Sequence, residues 1–366
     1  MRQRVLKAQE ALRQTDNDLI LLCDRENLIY FTGITEIECG GLIIPRDGEP
    51  VLITLWLDLP FFHGRTNLPL EGYVYRKETL AQKIAAWINS RGYRAPKIMF
   101  SKYFVEVGVF TTLLNLVPGL SGVDGSLFFY QLRAVKDATE LGYIRKASEI
   151  VSVGMKAAID SLKPGMSETE VLGAAEYAMR NHGSQGHPFR MQVLDESRQM
   201  MVHPIATDQT LRNNQYVVIH LGAVYQGYVS KMCRSVALGK ANPQKEALYH
   251  LTVEAQKAAI SAAVPGASCD DVYQAAKQIL SKAKMEKYLI DDIGYGIGIR
   301  QSEFSPIIGK NRKEKLQTGM AIDLMFPSVY HPQYGGTRIA DVVFVGNPPE
   351  VVTNYNEFPA ITSIEG

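Results

Sequence analysis

The sequence has little of several features that would assign it to a large class of proteins. It contains four cysteines, with no Cys-x-x-Cys pair and no zinc-binding spacing, which predicts buried free thiols. Its 39 basic and 38 acidic residues leave a formal net charge of +1. This balance gives no reason to expect a nucleic acid or a charged membrane surface as a partner.

Long hydrophobic runs are also missing. No stretch approaches the roughly 20 apolar residues that a helix needs to span a bilayer. The segment 1–12 is amphipathic, carries an acidic residue and lacks the apolar core of a signal peptide. We therefore expect a cytoplasmic protein with no membrane partner.

What is present is typical of a globular protein. Of the 366 residues, 46% are hydrophobic and 21% are charged. This length predicts two domains, each large enough to bury a core. Leu132-Arg-Ala-Val-Lys136 resembles the linker signature Leu-Arg-x-x-Lys of the creatinase and prolidase family, which implies domains over 1–132 and 137–366.

Helical and strand patterns alternate in the first of these domains, which predicts an α/β fold. The turn signal Arg46-Asp-Gly48 separates two strand patterns and predicts a hairpin. The predicted helices lie near 2–14, 78–92 and 104–116, and the predicted strands near 19–23, 41–45, 50–54 and 97–100.

The second domain contains an internal repeat. Nine residues in the segment from Ala157 to Ala175 recur 101 positions later, including a Pro-Gly-x-Ser sequence in each copy. Each copy predicts a helix, a Pro-Gly break, a serine N-cap and a second helix. Chance similarity between alanine-rich helices does not explain why both copies contain Pro-Gly-x-Ser at the same place. The repeat therefore predicts two similar halves around a shared sheet.

Four segments of this domain carry distinctive motifs. They are a predicted hairpin over 216–239, Gly294-Tyr-Gly-Ile-Gly298, Gly319-Met-Ala-Ile-Asp-Leu-Met-Phe-Pro327 and Arg338-Ile-Ala-Asp341. Together they resemble the pita-bread peptidases, the relatives of methionine aminopeptidase, aminopeptidase P, prolidase (Xaa-Pro dipeptidase) and creatinase. Asn27-Leu-Ile-Tyr-Phe-Thr-Gly33 is similar to a motif of the creatinase and prolidase N-terminal domain. The resemblance implies a small α/β N-terminal domain and a pita-bread domain with pseudo-twofold symmetry.

The resemblance also shows that the metal ligands of the family are replaced. Where metal-dependent members have two Asp, one His and two Glu, this sequence has His220, Lys231, Tyr295, Met325 and Ala340. A dinuclear site needs several carboxylates to balance about four positive charges. We therefore expect no metal and no cofactor. Loss of the acids beside Lys231 and Arg338 predicts a positive cavity that favours an anionic ligand.

His203 is the one catalytic position that is left intact. In the family the matching His contacts substrate, and in creatinase it is the general acid/base, a role that suits the near-neutral pKa of histidine. By resemblance, His203, Tyr295 and His220 are the candidate catalytic residues, and Lys231, Arg338 and Ser302 the candidate substrate-binding residues.

A structural role is an alternative for each of these residues. His203 could lie in a surface His-Pro turn, Lys231 could extend to solvent and Arg338 could form a salt bridge that supports its strand. Glu303 and Asp341 are predicted to be structural. Asp323 is predicted to face the other side of its strand from Leu324 and is not counted among the candidates.

Three functions are consistent with the sequence. The first is a metal-independent enzyme similar to creatinase, acting on a C–N bond of a small carboxylate-bearing substrate. The second is a non-catalytic protein that binds a small anionic ligand on the same scaffold. The third is a conventional Xaa-Pro dipeptidase. The resemblance implies a homodimer in each case.

Overall fold

The computed structural model describes residues 2–101, 106–201, 203–240, 242–325 and 329–353. The chain forms two compact units that divide between Arg133 and Ala134. Within the described ranges, no helix is long and apolar enough to cross a membrane.

The N-terminal unit is built on one mixed six-stranded sheet. Its strands run in the order β4-β3-β2-β1-β5-β6. The strands are β1 (Leu19–Leu22), β2 (Gly40–Pro45), β3 (Val51–Leu55), β4 (Leu70–Tyr73), β5 (Lys97–Phe100) and β6 (Ser121–Asp124). The helices are α1 (Arg2–Arg13), α2 (Arg25–Thr32), α3 (Leu59–Phe62), α4 (Leu80–Ser90), α5 (Val107–Leu116) and α6 (Ser126–Ala134).

The sequence pattern predicts these elements well. The antiparallel pairing of β2 with β3 confirms the hairpin around Arg46-Asp-Gly48. The predicted helix 78–92 is α4, which begins at a capping box formed by Thr79 and Gln82. The predicted helix 104–116 corresponds to α5. Residues 104 and 105 of the predicted range lie outside the described part of the chain.

The C-terminal unit contains two helix pairs and two sheets. The sheets have the strand orders β7-β8-β9 and β11-β10-β12-β13-β14. The helices are α7 (Ala138–Ser161), α8 (Glu168–Asn181), α9 (Pro243–Ala262) and α10 (Cys269–Lys282). The strands are β7 (Gln192–Leu194), β8 (Gln215–Tyr225), β9 (Tyr228–Leu238), β10 (Asp292–Gly296), β11 (Glu303–Gly309), β12 (Ala321–Leu324), β13 (Asp341–Phe344) and β14 (Glu350–Val351). Reciprocal hydrogen bonds of 3.1 Å between the backbones of Cys233 and Ala340 join the two sheets.

Equivalent residues of the two repeats form equivalent backbone hydrogen bonds. Gly165 donates its backbone N–H to Leu211 at 2.8 Å, and Gly266 donates to Leu316 at the same distance. Each bond joins the Pro-Gly turn between two helices to the segment that leads into the next strand, which is β8 in the first half and β12 in the second. The two halves therefore share local structure as well as residues.

Each half also has its own apolar core between its helix pair and its sheet. In β8, Val217, Ile219 and Leu221 belong to the core of the first half. Side chains of a strand alternate between faces, so the residues between them point to the other side of the sheet. His220 lies on that other side.

Both serine N-caps are capping boxes, as the sequence predicts. Ser167 pairs with Glu170 at the start of α8, and Ser268 pairs with Asp271 at the start of α10. Replacement of Ser268 by alanine is expected to lower the free energy of unfolding by about 1 kcal/mol, because the N–H of Asp271 loses its partner. Urea unfolding checks this, with Ser268→Asp as a control that keeps a cap acceptor and the stability. Equal stability of the Ala variant would contradict the assignment.

Candidate functional site

A cavity of about 860 Å³ opens in the C-terminal unit, on the face of the sheets away from the helices. All six side chains proposed from the sequence line it. They are His203, His220, Lys231, Tyr295, Ser302 and Arg338.

The β8–β9 hairpin places His220 and Lys231 side by side. Gly222 is the register partner of Lys231, and His220 is the partner of Cys233. His220 and Lys231 are thus diagonal neighbours on one face of an antiparallel pair. A Cβ at Gly222 would lie 2.5 Å from the ring of Phe189. The absence of a side chain there lets the segment carrying Phe189 pack over the hairpin.

Lys231 is held in a buried ion pair with Asp323. Its Nζ lies 2.7 Å from Asp323 Oδ2, and the two side chains are 4% and 0% exposed. Burial raises the pKa of the Asp323 carboxyl, and the nearby Lys231 ammonium opposes that shift. Strands β9 and β12 come from different halves of the domain, so the pair links the halves across the cavity.

This pair corrects two expectations from the sequence. Asp323 faces the side opposite Leu324, as predicted, but Lys231 lies on that side, so a residue that was not counted among the candidates belongs to the site. Lys231 is also not an unbalanced cation at the cavity floor, since Asp323 neutralises it. The alternation between Asp323 and Met325 is the sequence signal that would have located this carboxylate.

His220 is buried against Phe189, with the ring centroids 4.6 Å apart. Its Nε2 is buried and, within the described residues, accepts or donates no hydrogen bond. Burial lowers the pKa of His220 well below its usual range, and the charges of Lys231 and Arg338 lower it further. The ring is therefore neutral near pH 7, where it can donate or accept one hydrogen bond but supplies no positive charge.

The lowered pKa of His220 predicts a loss of stability in acid. The unfolded chain takes up a proton below pH 6.5 that the folded ring resists, so stability falls as pH decreases from 6.5. His220→Gln is expected to remove up to about 1.4 kcal/mol per pH unit of that dependence. Urea unfolding between pH 7.5 and 5 measures it, with exposed His250→Gln as the control. Identical pH slopes for wild type and His220→Gln would refute a neutral His220.

The guanidinium of Arg338 is hydrogen-bonded to other residues of the C-terminal unit. Its Nη1 donates to Gln192 Oε1 at 3.1 Å, and its Nη2 donates to the carbonyls of Gln199 at 2.7 Å and Met201 at 2.6 Å. Those carbonyls belong to the segment that leads to His203. Among the described residues, no acid forms the salt bridge that the sequence suggested for Arg338, and its hydrogen bonds hold the segment before His203 instead.

His203 and Ser302 lie at more open positions of the cavity wall. His203 is exposed and Ser302 is half-buried. The following residue, Glu303, is fully buried and accepts a hydrogen bond from the Arg300 backbone at 3.4 Å, which agrees with a structural role. Tyr295 stands edge-on to Phe304, and burial raises the pKa of its phenol, so Tyr295 remains a hydrogen-bond donor at neutral pH.

An apolar cluster occupies the place of two lost carboxylates. Met325 packs against Ala340 and Cys233, together with Leu194 and Val218. Burial raises the pKa of the Cys233 thiol to about 12, so it stays protonated. The cluster is hydrophobic, and none of its side chains is a carboxylate that could bind a metal ion.

The residues at the five aligned positions do not fit a two-metal centre. Lys231 is paired with Asp323 and supplies no negative charge to offset a metal ion, Ala340 has no donor, and Met325 offers only a soft thioether. His220 and Tyr295 alone cannot balance two divalent ions. In the parts of the chain that the structure describes, no three His, Cys, Asp or Glu side chains are grouped to share a metal ion.

Sequence reasoning missed several residues of the cavity wall. Arg190 and Arg300 both line it, as does Asp292, which pairs with Arg312 at 3.0 Å. Arg190 follows Phe189, whose ring packs over Gly222 of the hairpin. Lys231 is balanced by Asp323 and Asp292 by Arg312. The hydrogen-bond partners of Arg338 among the described residues are neutral, so Arg338 adds positive charge to the lining.

Two duplicated halves around one cavity, in a chain that also carries a small α/β unit, define the pita-bread class of fold. The chain belongs to metallopeptidase family M24, whose model matches residues 142–347. The Creatinase/Prolidase N-terminal domain model matches residues 4–135.

Similar proteins cover nearly the whole chain. An Xaa-Pro dipeptidase of Pyrococcus horikoshii is 27% identical, covering 94% of this chain and 95% of that protein. An uncharacterized peptidase of Staphylococcus aureus is 31% identical, covering 97% and 99%. The prolidase structure from Pyrococcus horikoshii superposes with a TM-score of 0.85 at 25% identity, covering 96% and 98%. The predicted family and fold are confirmed, and the family is one of peptidase enzymes.

Proposed function

We propose that this chain is a metal-independent hydrolase that cleaves a C–N bond in a small carboxylate-bearing substrate. The observation that carries the proposal is the ion pair between Lys231 and Asp323 at the cavity floor. An organic cation with its own carboxylate stands where the resembling enzymes hold metal ligands. Chemistry in this cavity therefore depends on side chains.

His203 is the proposed general acid/base. As a neutral imidazole it accepts a proton from the attacking water, and as an imidazolium it returns that proton to the leaving nitrogen. Tyr295 donates a hydrogen bond to the oxygen on which negative charge develops. Arg190 and Arg338, which line the cavity, supply the positive field that favours a carboxylate.

The names of the relatives supply a further candidate substrate. Several are Xaa-Pro dipeptidases, and a dipeptide carries both a C–N bond and a carboxylate. The donor set of this chain does not support the family's metal chemistry on such a substrate. Xaa-Pro dipeptides belong in a substrate screen together with N-acyl amino acids and carboxylate-bearing amidines.

The test is product analysis by mass spectrometry of this panel with chelator-treated protein. Cleavage of a panel member by metal-stripped protein supports the proposal. Cleavage that occurs only after Mn²⁺ or Co²⁺ is added would overturn it in favour of a conventional metallopeptidase.

Metal removal itself has an expected outcome. Dialysis against EDTA and addition of Mn²⁺ should each change the Tm by less than about 1 °C, because a ligand shifts stability only when it binds the native state. The measurement is differential scanning fluorimetry with metal analysis of the same samples. A rise of several degrees at stoichiometric Mn²⁺ would contradict the ligand assignment whether or not the protein is active.

A second function is favoured by a specific observation. His203 forms no hydrogen bond with any described residue, so no third group orients it as a base. This favours a binding protein for a small anionic ligand. A panel member that raises the Tm and is recovered unchanged after prolonged incubation would support binding alone.

We also propose that the protein is a homodimer, following the family resemblance. Three exposed apolar residues lie close together in the N-terminal unit: Trp56, Leu57 and Phe61 are 49%, 56% and 69% exposed. Such a group of side chains is typical of a protein interface. Analytical ultracentrifugation tests it, and a monomer at micromolar concentration would exclude a stable dimer.

A further inference from the structure

Among the described side chains that line the cavity, Lys231 is the one lysine. Its side chain is 4% exposed, so the amine is largely removed from bulk water. An amine in such a place can serve as a nucleophile toward a carbonyl carbon once it loses its proton.

The proton acceptor that this reaction needs is already in contact. Asp323 Oδ2 lies 2.7 Å from Nζ, within reach of direct proton transfer. Desolvation of both charges opposes the ionic form of the pair, and burial raises the pKa of Asp323. Asp323 is therefore placed to hold the proton that the amine gives up. Tyr295, the register partner of Asp323, adds a phenol to the same wall.

We propose that Lys231 forms an imine with a small carboxylate-bearing aldehyde or ketone. Asp323 takes a proton from the ammonium, and the free amine adds to the carbonyl carbon to give a carbinolamine. Asp323 then returns the proton to the hydroxyl, which leaves as water, and the iminium is paired with the restored carboxylate. Atoms and charge balance, and the step needs no oxidant, reductant or metal.

The lining indicates an oxo acid as the carbonyl compound. Arg190 and Arg338 favour a carboxylate, while Phe189, Phe304 and Met325 offer apolar surface to a short side chain. This covalent chemistry does not rest on the proposed hydrolysis, since it needs neither His203 nor an attacking water.

Reductive trapping tests the proposal. The purified full-length protein is incubated with pyruvate or glyoxylate and sodium cyanoborohydride, and the adducts are mapped by peptide mass spectrometry. Lys231 is expected to be modified before the surface lysines. Adducts confined to exposed lysines such as Lys163, with Lys231 unmodified in the folded protein, would overturn the proposal.

Two variants sharpen the test. Lys231→Arg keeps the cation beside Asp323 but removes the primary amine, and it should lose the cavity adduct. Asp323→Asn keeps the shape of the carboxyl and should slow trapping about 100-fold, the size of a typical acid/base contribution. Trapping at the wild-type rate in Asp323→Asn would contradict the role of Asp323. Lys163→Met, an exposed control, should trap at the wild-type rate.

Discussion

Replacement of Lys231 by methionine should lower the free energy of unfolding by about 3–5 kcal/mol, because it leaves Asp323 buried without a counter-ion. The deficit should grow as pH rises from about 4, since a buried carboxyl that has lost its cation folds more readily when protonated. Urea unfolding at several pH values measures both effects.

The matched control for this result is the double variant Lys231→Met/Asp323→Leu. It replaces both charges by apolar groups of similar size and should recover most of the lost stability, as buried ion pairs exchanged for hydrophobic residues often do. Exposed Lys163→Met should change stability by less than about 0.5 kcal/mol. If Lys231→Met alone were as stable as wild type, the pair would not be the electrostatic link between the two halves.

His203→Ala is the second substitution with a large expected effect. On the proposed function it should reduce turnover by about 100- to 10,000-fold, the usual contribution of a general acid/base. The Tm should be nearly unchanged, because His203 is exposed and makes no hydrogen bond with a described residue. The measurement is turnover of whichever panel substrate the metal-stripped protein cleaves.

Two comparisons make this result specific. His250→Ala removes an exposed histidine outside the cavity lining and should leave turnover at the wild-type level. Substrate binding to His203→Ala, measured by the ligand-induced rise in Tm, should persist. Full activity in His203→Ala would show that His203 is not the general acid/base. If wild type and His203→Ala both bind the ligand and neither turns it over, the protein is a non-catalytic binding protein.

Arg338 and Asp323 show how far residue identity predicts a site. The sequence brings Arg338 to the cavity but leaves open whether it binds substrate or supports the strand. In the structure, the Nη atoms of Arg338 donate hydrogen bonds to Gln192 and to the carbonyls of Gln199 and Met201. Its charge therefore organises the segment before His203. The sequence also counts Lys231 as surplus charge, because it does not reveal Asp323 as its partner.

The fold, the duplication and the helix starts are determined by the sequence alone. They follow from local rules: the period of the apolar residues, the Pro-Gly breaks and the Ser–Glu and Ser–Asp capping boxes. The candidate residues could be named in advance because motif spacing fixes positions along strands.

Tertiary structure alone decided the state of those residues. The neutral ring of His220, the balanced charge of Lys231 and the engaged guanidinium of Arg338 each depend on side chains that are far away in the sequence. Burial and partners set the charge of an ionisable group, and both arise only when strands from the two halves meet.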